Sequence, residues 1–148
     1  MKAVRYVAFS FVVACALTGP ERNLRASQAE QTRTVWDGVY TTEQAGRGDL
    51  IYRETCASCH GATMLGGEMA PALVGSDFLS NWNDLSVADL VERVRVSMPQ
   101  NDPGSLGRQR TTDVIALILR ANLFPAGKSE LPREAELLKQ IRIQATRP

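Results

Sequence analysis

Histidine and cysteine are the scarcest reactive residues of this 148-residue chain, which holds one histidine, His60, and three cysteines, Cys15, Cys56 and Cys59. A Ser-His-Asp triad must therefore use His60, and a metal site with several histidine ligands is excluded. Neither sign of charge dominates, because 17 Lys and Arg stand against 16 Asp and Glu, so we expect no nucleic-acid partner. A hydrophobic content of 44% excludes global disorder, and the length excludes a large two-domain enzyme.

Long apolar runs are also missing, apart from a short one near the N-terminus. Lys2 and Arg5 precede the run from Tyr6 to Leu17, in which Ser10 is the clearly polar residue. The run is too short to span a bilayer, which needs roughly 20 apolar residues. A basic start followed by a short apolar core is typical of an export signal. We therefore expect the mature protein to be periplasmic or otherwise extracytoplasmic.

Two processing patterns compete in this leader. Ser27-Gln28-Ala29 has the small-x-small pattern of ordinary signal cleavage, which would make residues 1–29 the export signal. Val12-Val13-Ala14-Cys15 resembles a bacterial lipobox, in which Cys15 becomes the lipidated N-terminus. The lipid on Cys15 would then be the membrane contact of the protein. Both patterns remain open.

Turn and helix signals divide the rest of the chain into three parts. Residues 30–40 are polar with little periodicity and predict a linker, residues 41–127 carry the helix signals of one domain, and residues 128–148 form a C-terminal tail. The tail contains a short amphipathic stretch, Glu134 to Ile143, which packs back on the domain or contacts a partner. No segment has the alternation of a strand, so the predicted class is all-α.

Capping signals locate the first two predicted helices. Thr41 is followed three residues later by Gln44, and Ser86 is followed three residues later by Asp89. Both pairs have the capping-box spacing, in which two otherwise unpaired N–H groups are satisfied. Pro99 ends the second helix, because the residue before a proline is pushed toward an extended conformation.

The third helix is the most hydrophobic. Thr111 or Thr112 is predicted to cap it, and residues 114–119 make it apolar on nearly all sides, so it must be buried, against the first helix. Gly48 of the first helix would let the two helices cross closely. Gly61 to Asn83 is rich in Gly and Pro and has little helical pattern. A loop of that length in a compact domain indicates that a bound cofactor fills the space it encloses.

The reactive residues cluster in Cys56-Ala57-Ser58-Cys59-His60. This C-x-x-C-H pattern is the c-type haem attachment signal, in which two thiols add to the haem vinyl groups and the imidazole becomes an axial iron ligand. A structural zinc site needs four Cys or His ligands, and only three occur in this region. A thioredoxin-like redox pair expects a βαβ context, and a plain disulfide would leave the long loop unexplained. We expect one covalently attached haem c.

The sixth iron ligand is predicted by elimination. No second histidine exists, so a methionine sulfur is the expected ligand, and the candidates are Met64, Met69 and Met98. Met64 and Met69 follow His60 too closely for the chain to pass around a haem, and a methionine is by default a core filler. Met98 is distant in sequence, and Pro99 holds it in an extended conformation, so Met98 is the predicted ligand.

Over roughly Thr41 to Gly127 the sequence resembles the class I c-type cytochromes. It is most similar to the small monohaem domains found with quinoprotein dehydrogenases in periplasmic electron transfer. The matching residues are Gln44-Ala45-Gly46-Arg47-Gly48, Tyr52, Cys56-Ala57-Ser58-Cys59-His60-Gly61, Ala70-Pro71-Ala72-Leu73, Trp82, Ser97-Met98-Pro99 and Pro103-Gly104-Ser105-Leu106.

The resemblance implies a cytochrome c fold of three main helices wrapped around the haem, with Gly48 and Tyr52 at the crossing of the first and last helices. It also implies that the Pro71 carbonyl accepts a hydrogen bond from the His60 ring, which would orient the imidazole and make it more basic. Trp82 matches a position where indole packs beside the haem and reaches a propionate. Purely apolar packing of Trp82 is the alternative.

These features predict a single-electron carrier and not an enzyme. The expected partners are redox proteins, with a quinoprotein dehydrogenase as a possible donor and an oxidase or another cytochrome as acceptor. One alternative is a haem subunit of a larger dehydrogenase or oxidase, docked by the tail. Another is a haem enzyme or sensor in which the sixth ligand is displaceable.

Docking is expected to use an apolar patch. Beyond the leader the chain has only Lys128 and Lys139, so it lacks a ring of lysines for an acidic partner. The residues expected to rim the exposed haem edge are mostly uncharged: Ala57, Ser58, Met64, Gln100 and Leu106.

Overall fold

A computed structural model describes residues 33–148 of the chain. The predicted export signal, its two processing patterns and the first residues of the predicted linker lie outside this described part. Within it the chain is mainly helical, which confirms the all-α class. Its elements are β1 (Arg33–Thr34), a 3-10 turn (Val35–Asp37), α1 (Thr42–Thr55), α2 (Ala57–His60), α3 (Gly75–Trp82), α4 (Val87–Ser97), α5 (Gly107–Ala121), α6 (Ala135–Lys139) and β2 (Ile141–Arg142).

The start of α1 is as predicted, but the capping box is only half formed. The Gln44 N–H donates to the Thr41 hydroxyl at 3.1 Å. The Gln44 side chain is fully buried and pairs instead with the backbone of Leu131, accepting from its N–H at 2.8 Å and donating to its carbonyl at 3.3 Å. The amide of α1 thus holds the tail, because it can satisfy both backbone groups of Leu131 at once.

The predicted start and end of α4 are confirmed. The Asp89 N–H donates to the Ser86 hydroxyl at 3.2 Å, and the Ser86 N–H donates to the Asp89 carboxylate at 2.8 Å. The Ser86 hydroxyl also donates to the Asp89 carboxylate at 2.7 Å, and this bond together with the one from the Ser86 N–H holds the pKa of Asp89 below its usual value. The helix ends at Ser97, and Met98 has the extended conformation (φ −126°, ψ 151°) that was predicted from Pro99.

One helix begins earlier than predicted, and another was not predicted. Helix α5 begins at Gly107, and the hydroxyls of Thr111 and Thr112 donate to carbonyls within that helix, at 2.7 and 2.9 Å. The predicted cap was wrong because a threonine inside a helix can bond backward to the preceding turn. Helix α3 lies within the stretch predicted to be irregular, and it buries Phe78 in the core.

The crossing of α1 and α5 is as close as predicted. A Cβ placed on Gly48 would overlap the Asp113 carbonyl and would lie 3.1 Å from Leu117 Cβ, so only glycine fits here. Tyr52 packs against Leu117 one turn further along α1. The pair therefore lies at the crossing that the resemblance implied. Helix α5 buries nearly its whole middle, residues 111–119.

The segments before and after the domain pack on it and on each other. Strands β1 and β2 pair in parallel, and the Trp36 indole N–H donates to the Gln144 carbonyl at 2.9 Å. Val35, Val39 and Tyr40 are buried in the core, so the segment 33–40 differs from the linker predicted for residues 30–40. The aromatic and branched residues there provide apolar area that a mobile linker would leave in water.

The tail packs back on the domain, which was one of its two predicted placements. The short helix predicted within it is α6, and Leu138 and Ile143 are almost fully buried. Arg47 of α1 strengthens this contact, because its guanidinium bonds Asp113 of α5 at 3.0 Å and Glu130 of the tail at 2.8 Å. In the part of the chain that the structure describes, no helix has the length and hydropathy needed to cross a membrane.

Candidate functional site

The C-x-x-C-H motif forms its own short helix directly after α1. The Cys56 N–H still bonds the Tyr52 carbonyl of α1 at 2.8 Å, and the His60 N–H bonds the Cys56 carbonyl at 3.0 Å. Cys56, Cys59 and His60 therefore share one helical turn. Both thiols are free; Cys59 is exposed, whereas Cys56 is half-buried and its burial raises the pKa of its thiol.

The His60 ring is held by a single backbone carbonyl. His60 is 8% exposed, and its Nδ1 lies 2.9 Å from the Pro71 carbonyl oxygen. Because a carbonyl can only accept, Nδ1–H is the donor, and in the neutral imidazole the lone pair is then on Nε2. The contact is the one that the resemblance implied. It leaves Nε2 as the atom that could bind a metal.

The loop between His60 and Pro71 turns back on itself at a glycine. Gly66 has φ +70°, and its N–H bonds the His60 carbonyl at 3.0 Å. A Cβ placed on Gly66 would lie only 2.5 Å from Pro71 C and Ala72 N, and 2.6 Å from Ala70 O. Glycine is therefore required for the two arms of the loop to touch, and this contact supports the Pro71 carbonyl against His60.

A small apolar cluster packs against the motif. It consists of Tyr52, Met64 and Leu117, with Cys56 packed against it. The Tyr52 hydroxyl donates to the Gly61 carbonyl at 2.6 Å, and burial raises the pKa of Tyr52 to about 12. Met64 adopts the left-handed conformation (φ 62°) and is 6% exposed, which agrees with its predicted role as a core filler.

The predicted sixth ligand and the predicted indole lie on other elements. Met98 directly follows α4 and is half-buried, as is Trp82 at the end of α3. Trp82 packs against Phe78 with ring centroids 6.3 Å apart. The structure shows a hydrogen bond between His60 and Pro71. The roles of Met98 and Trp82 toward a cofactor stay predictions.

The predicted rim of the cofactor edge needs correction. Met64 and Leu106 are each 6% exposed, so neither can contact a partner. Both contribute apolar side chains to the interior, where their area is removed from water. Leu65 and Met69, at 67% and 81% exposed, supply the apolar surface of the loop after the motif, and Ser58 is exposed beside it.

Sequence reasoning missed two residues that organise this loop, Gly66 and Asn122. Gly66 is one of several glycines in a Gly-rich stretch, and its sequence neighbours do not distinguish it. Asn122 lies far along the chain at the C-terminal end of α5, yet it bonds the backbone of Leu73 and Gly75. The sequence offers one signal for Asn122, its position directly after a long apolar helix. That signal predicts the end of the helix and not a contact with the loop.

The residues of the site fit a covalently attached haem. Two free thiols one helical turn apart, followed by an imidazole whose Nε2 is available, are the donor set of the c-type attachment motif. Among residues 33–148 no group of three or more His, Cys, Asp and Glu side chains could hold a metal ion by itself.

Comparison with known proteins agrees with this donor set. A family model described as cytochrome c oxidase, cbb3-type, subunit III matches residues 43–118, just over half of the chain. The match covers α1, the motif, α3, α4 and most of α5. No curated protein and no solved structure gives a significant match. The chain belongs to this family and is a cytochrome c domain, a helical protein whose cofactor is haem c.

Proposed function

We propose that this chain is an extracytoplasmic single-electron carrier with one covalently bound haem c. The observation that carries the proposal is the bond between His60 Nδ1 and the Pro71 carbonyl, 2.9 Å long. This bond fixes the tautomer that presents Nε2 to iron and makes the imidazole a stronger donor. A haem held there supplies an iron that changes between the ferrous and ferric states, one electron at a time.

Cys56 and Cys59 would hold the haem by thioether bonds. Each thiol would add across one vinyl group, with a new carbon–sulfur bond formed and the thiol proton taken up by the neighbouring vinyl carbon. The reaction needs both sulfurs reduced, and both thiols are free. The cluster of Tyr52, Met64 and Leu117 supports this turn from the protein interior, where Cys56 and Ala57 pack against it.

Met98 is the proposed sixth ligand. Its backbone is extended and lies outside α4, so its side chain does not have to point in the directions that a helix imposes. A thioether ligand favours ferrous iron and gives a high potential. If His60 and Met98 both bind the iron, no site would remain there for a substrate, which favours electron transfer over catalysis.

The export signal proposed for residues 1–29 supports a periplasmic location, with a lipid on Cys15 as the alternative mode of attachment. The proposed partners are redox proteins, for example a quinoprotein dehydrogenase as donor and an oxidase or another cytochrome as acceptor. The exposed apolar residues Leu65 and Met69 beside the motif support brief contacts of small area, as redox encounters require.

A second candidate is a haem subunit of an oxidase or dehydrogenase complex. The description of the matched family, which names an oxidase subunit, favours it. The tail is an unfavourable docking element for such a complex, because Leu131, Leu138 and Ile141 are already buried against the domain itself. Copurification of further subunits with the tagged protein from its native membrane would favour this candidate.

An absorption spectrum of the mature protein in both redox states tests the main proposal. We expect sharp ferrous bands, a weak sulfur-to-iron band in the ferric state and no spectral change with carbon monoxide. Haem should stay with the protein in acid-acetone. Ready binding of carbon monoxide by the wild type would instead indicate an enzyme or sensor with a displaceable sixth ligand.

A further inference from the structure

Asn122 is a buried amide for which the proposed function has no direct use. It is 9% exposed and follows α5, and its side chain makes three hydrogen bonds to backbone. Its Oδ1 accepts from the Gly75 N–H at 3.0 Å, and its Nδ2 donates to the carbonyls of Leu73 and Ile118, each at 2.9 Å. The bond from Gly75 identifies the oxygen, since a backbone N–H can only donate.

Two of these bonds connect the end of α5 to the loop segment that contains Pro71. Leu73 is two residues from Pro71, and its own N–H bonds the Met64 carbonyl at 2.8 Å. The segment after Pro71 is thus held on one side by Met64 and on the other by Asn122. Pro71 itself has no backbone N–H, so its position depends on these neighbours and on the close contact with Gly66.

We propose that Asn122 is a positioning residue for the axial histidine. It acts through Leu73 and Gly75 to hold the Pro71 carbonyl against His60 Nδ1, and so it sets the orientation and basicity of the imidazole. The inference rests on the proposed function, because it assigns the amide a role toward the iron. A group that holds a ligand's hydrogen-bond partner tunes the ligand even when it does not touch the metal.

The direction of the effect follows from the chemistry of the Nδ1–H bond. A firm bond to a carbonyl increases electron donation from Nε2 and stabilises ferric iron, which lowers the potential. If Asn122 no longer holds Leu73, the Pro71 carbonyl becomes mobile and the bond opens more often. The potential should then rise, and the Nδ1 proton should exchange faster with water.

The test compares Asn122→Leu with Thr112→Val in the haem-loaded full-length protein. Leucine removes both polar groups at similar volume. Thr112 is fully buried within α5, and its hydroxyl donates to the Gln109 carbonyl of the same helix, so its loss weakens the helix without reaching the loop. The midpoint potential is measured by spectroelectrochemical titration, and exchange of the His60 Nδ1 proton is measured by NMR.

We expect Asn122→Leu to raise the potential and to speed Nδ1 exchange by on the order of tenfold, as the loss of one or two hydrogen bonds from a local opening equilibrium implies. Thr112→Val should change neither quantity, even where it lowers the unfolding temperature equally. If Asn122→Leu fails to fold, Asn122→Ser, which is smaller and loses the Leu73 contact, is judged by the same two measurements.

Equal effects of the Asn122 and Thr112 variants would overturn the proposal, as would unchanged exchange in every Asn122 variant. The wild-type protein separates this result from the proposed function. Loss of its haem in acid-acetone contradicts covalent attachment and the proposed function, whereas Nδ1 exchange still tests whether Asn122 holds Pro71 against His60.

Discussion

Gly66→Ala is the change for which the structure allows the most direct estimate. Gly66 has φ +70°, a conformation that costs an alanine about 1–2 kcal/mol. The new Cβ would also lie 2.5 to 2.6 Å from three backbone atoms of residues 70–72, so the loop must move. Overpacking of this kind costs about 1–3 kcal/mol, which brings the expected loss to about 2–5 kcal/mol.

The neighbouring residue provides a matched control. Gly67 has open space around the position of its Cβ, so Gly67→Ala should change the free energy of unfolding by less than about 0.5 kcal/mol. Thermal unfolding followed by circular dichroism measures both variants. We expect Gly66→Ala to lower the unfolding temperature by at least about 6 °C, since each kcal/mol shifts a domain of this size by roughly 3–5 °C.

The displaced loop should also affect the histidine. Pro71 is one of the residues that the new methyl group would push, so the 2.9 Å contact with His60 should lengthen and the potential should rise together with the loss of stability. If Gly66→Ala and Gly67→Ala unfold at the same temperature, the close contact between the two arms of the loop does not exist as described, and our account of how Pro71 is supported is wrong.

Four further predictions test the cofactor site and the docking surface. Replacing Cys56 and Cys59 with Ala should release haem in acid-acetone and leave a poorly helical protein; retention of haem would contradict thioether linkage. Met98→Ala should abolish the sulfur-to-iron band, lower the potential and let carbon monoxide bind. Met69→Ala is the control and should do little. Loss of the band on changing Met64 or Met69 alone would contradict the ligand assignment. Met64→Ala should keep the band and lose about 2–5 kcal/mol of stability, because the side chain is 6% exposed. Electron-transfer rates with a redox partner should change little between low and moderate salt; a steep fall would demand a charged docking face.

Features encoded by neighbouring residues could be predicted from the sequence. The capping box of Ser86 and Asp89, the end of α4 before Pro99 and the motif helix depend on contacts within a few residues. The close crossing at Gly48 was also predicted, because a glycine on one helix and an apolar second helix are both visible in the sequence. The class and the position of the attachment motif were therefore accessible, whereas the ligand role of Met98 stays a prediction.

Contacts between distant segments were not accessible in the same way. Gln44 has the spacing of a capping residue, but its side-chain amide bonds the buried backbone of Leu131 instead. Without these bonds the Gln44 amide and the Leu131 N–H and carbonyl would be unsatisfied in the interior. Asn122 likewise bonds residues that lie 47 and 49 positions earlier. The Pro71 contact came from family resemblance and not from the residues themselves.

The parallel pairing of β1 with β2 affects the order in which the protein can be completed. The bond from Trp36 to Gln144 joins residues 108 positions apart, and almost the whole described chain lies in the loop that it closes. Closing such a long loop costs conformational entropy, so the contact forms later than the local helices. The pairing of residues 33–34 with residues 141–142 is therefore a late contact, whereas α1 and the motif helix depend on contacts within a few residues. The attachment motif is thus available in a partly folded chain, before the two strands that flank the domain have paired.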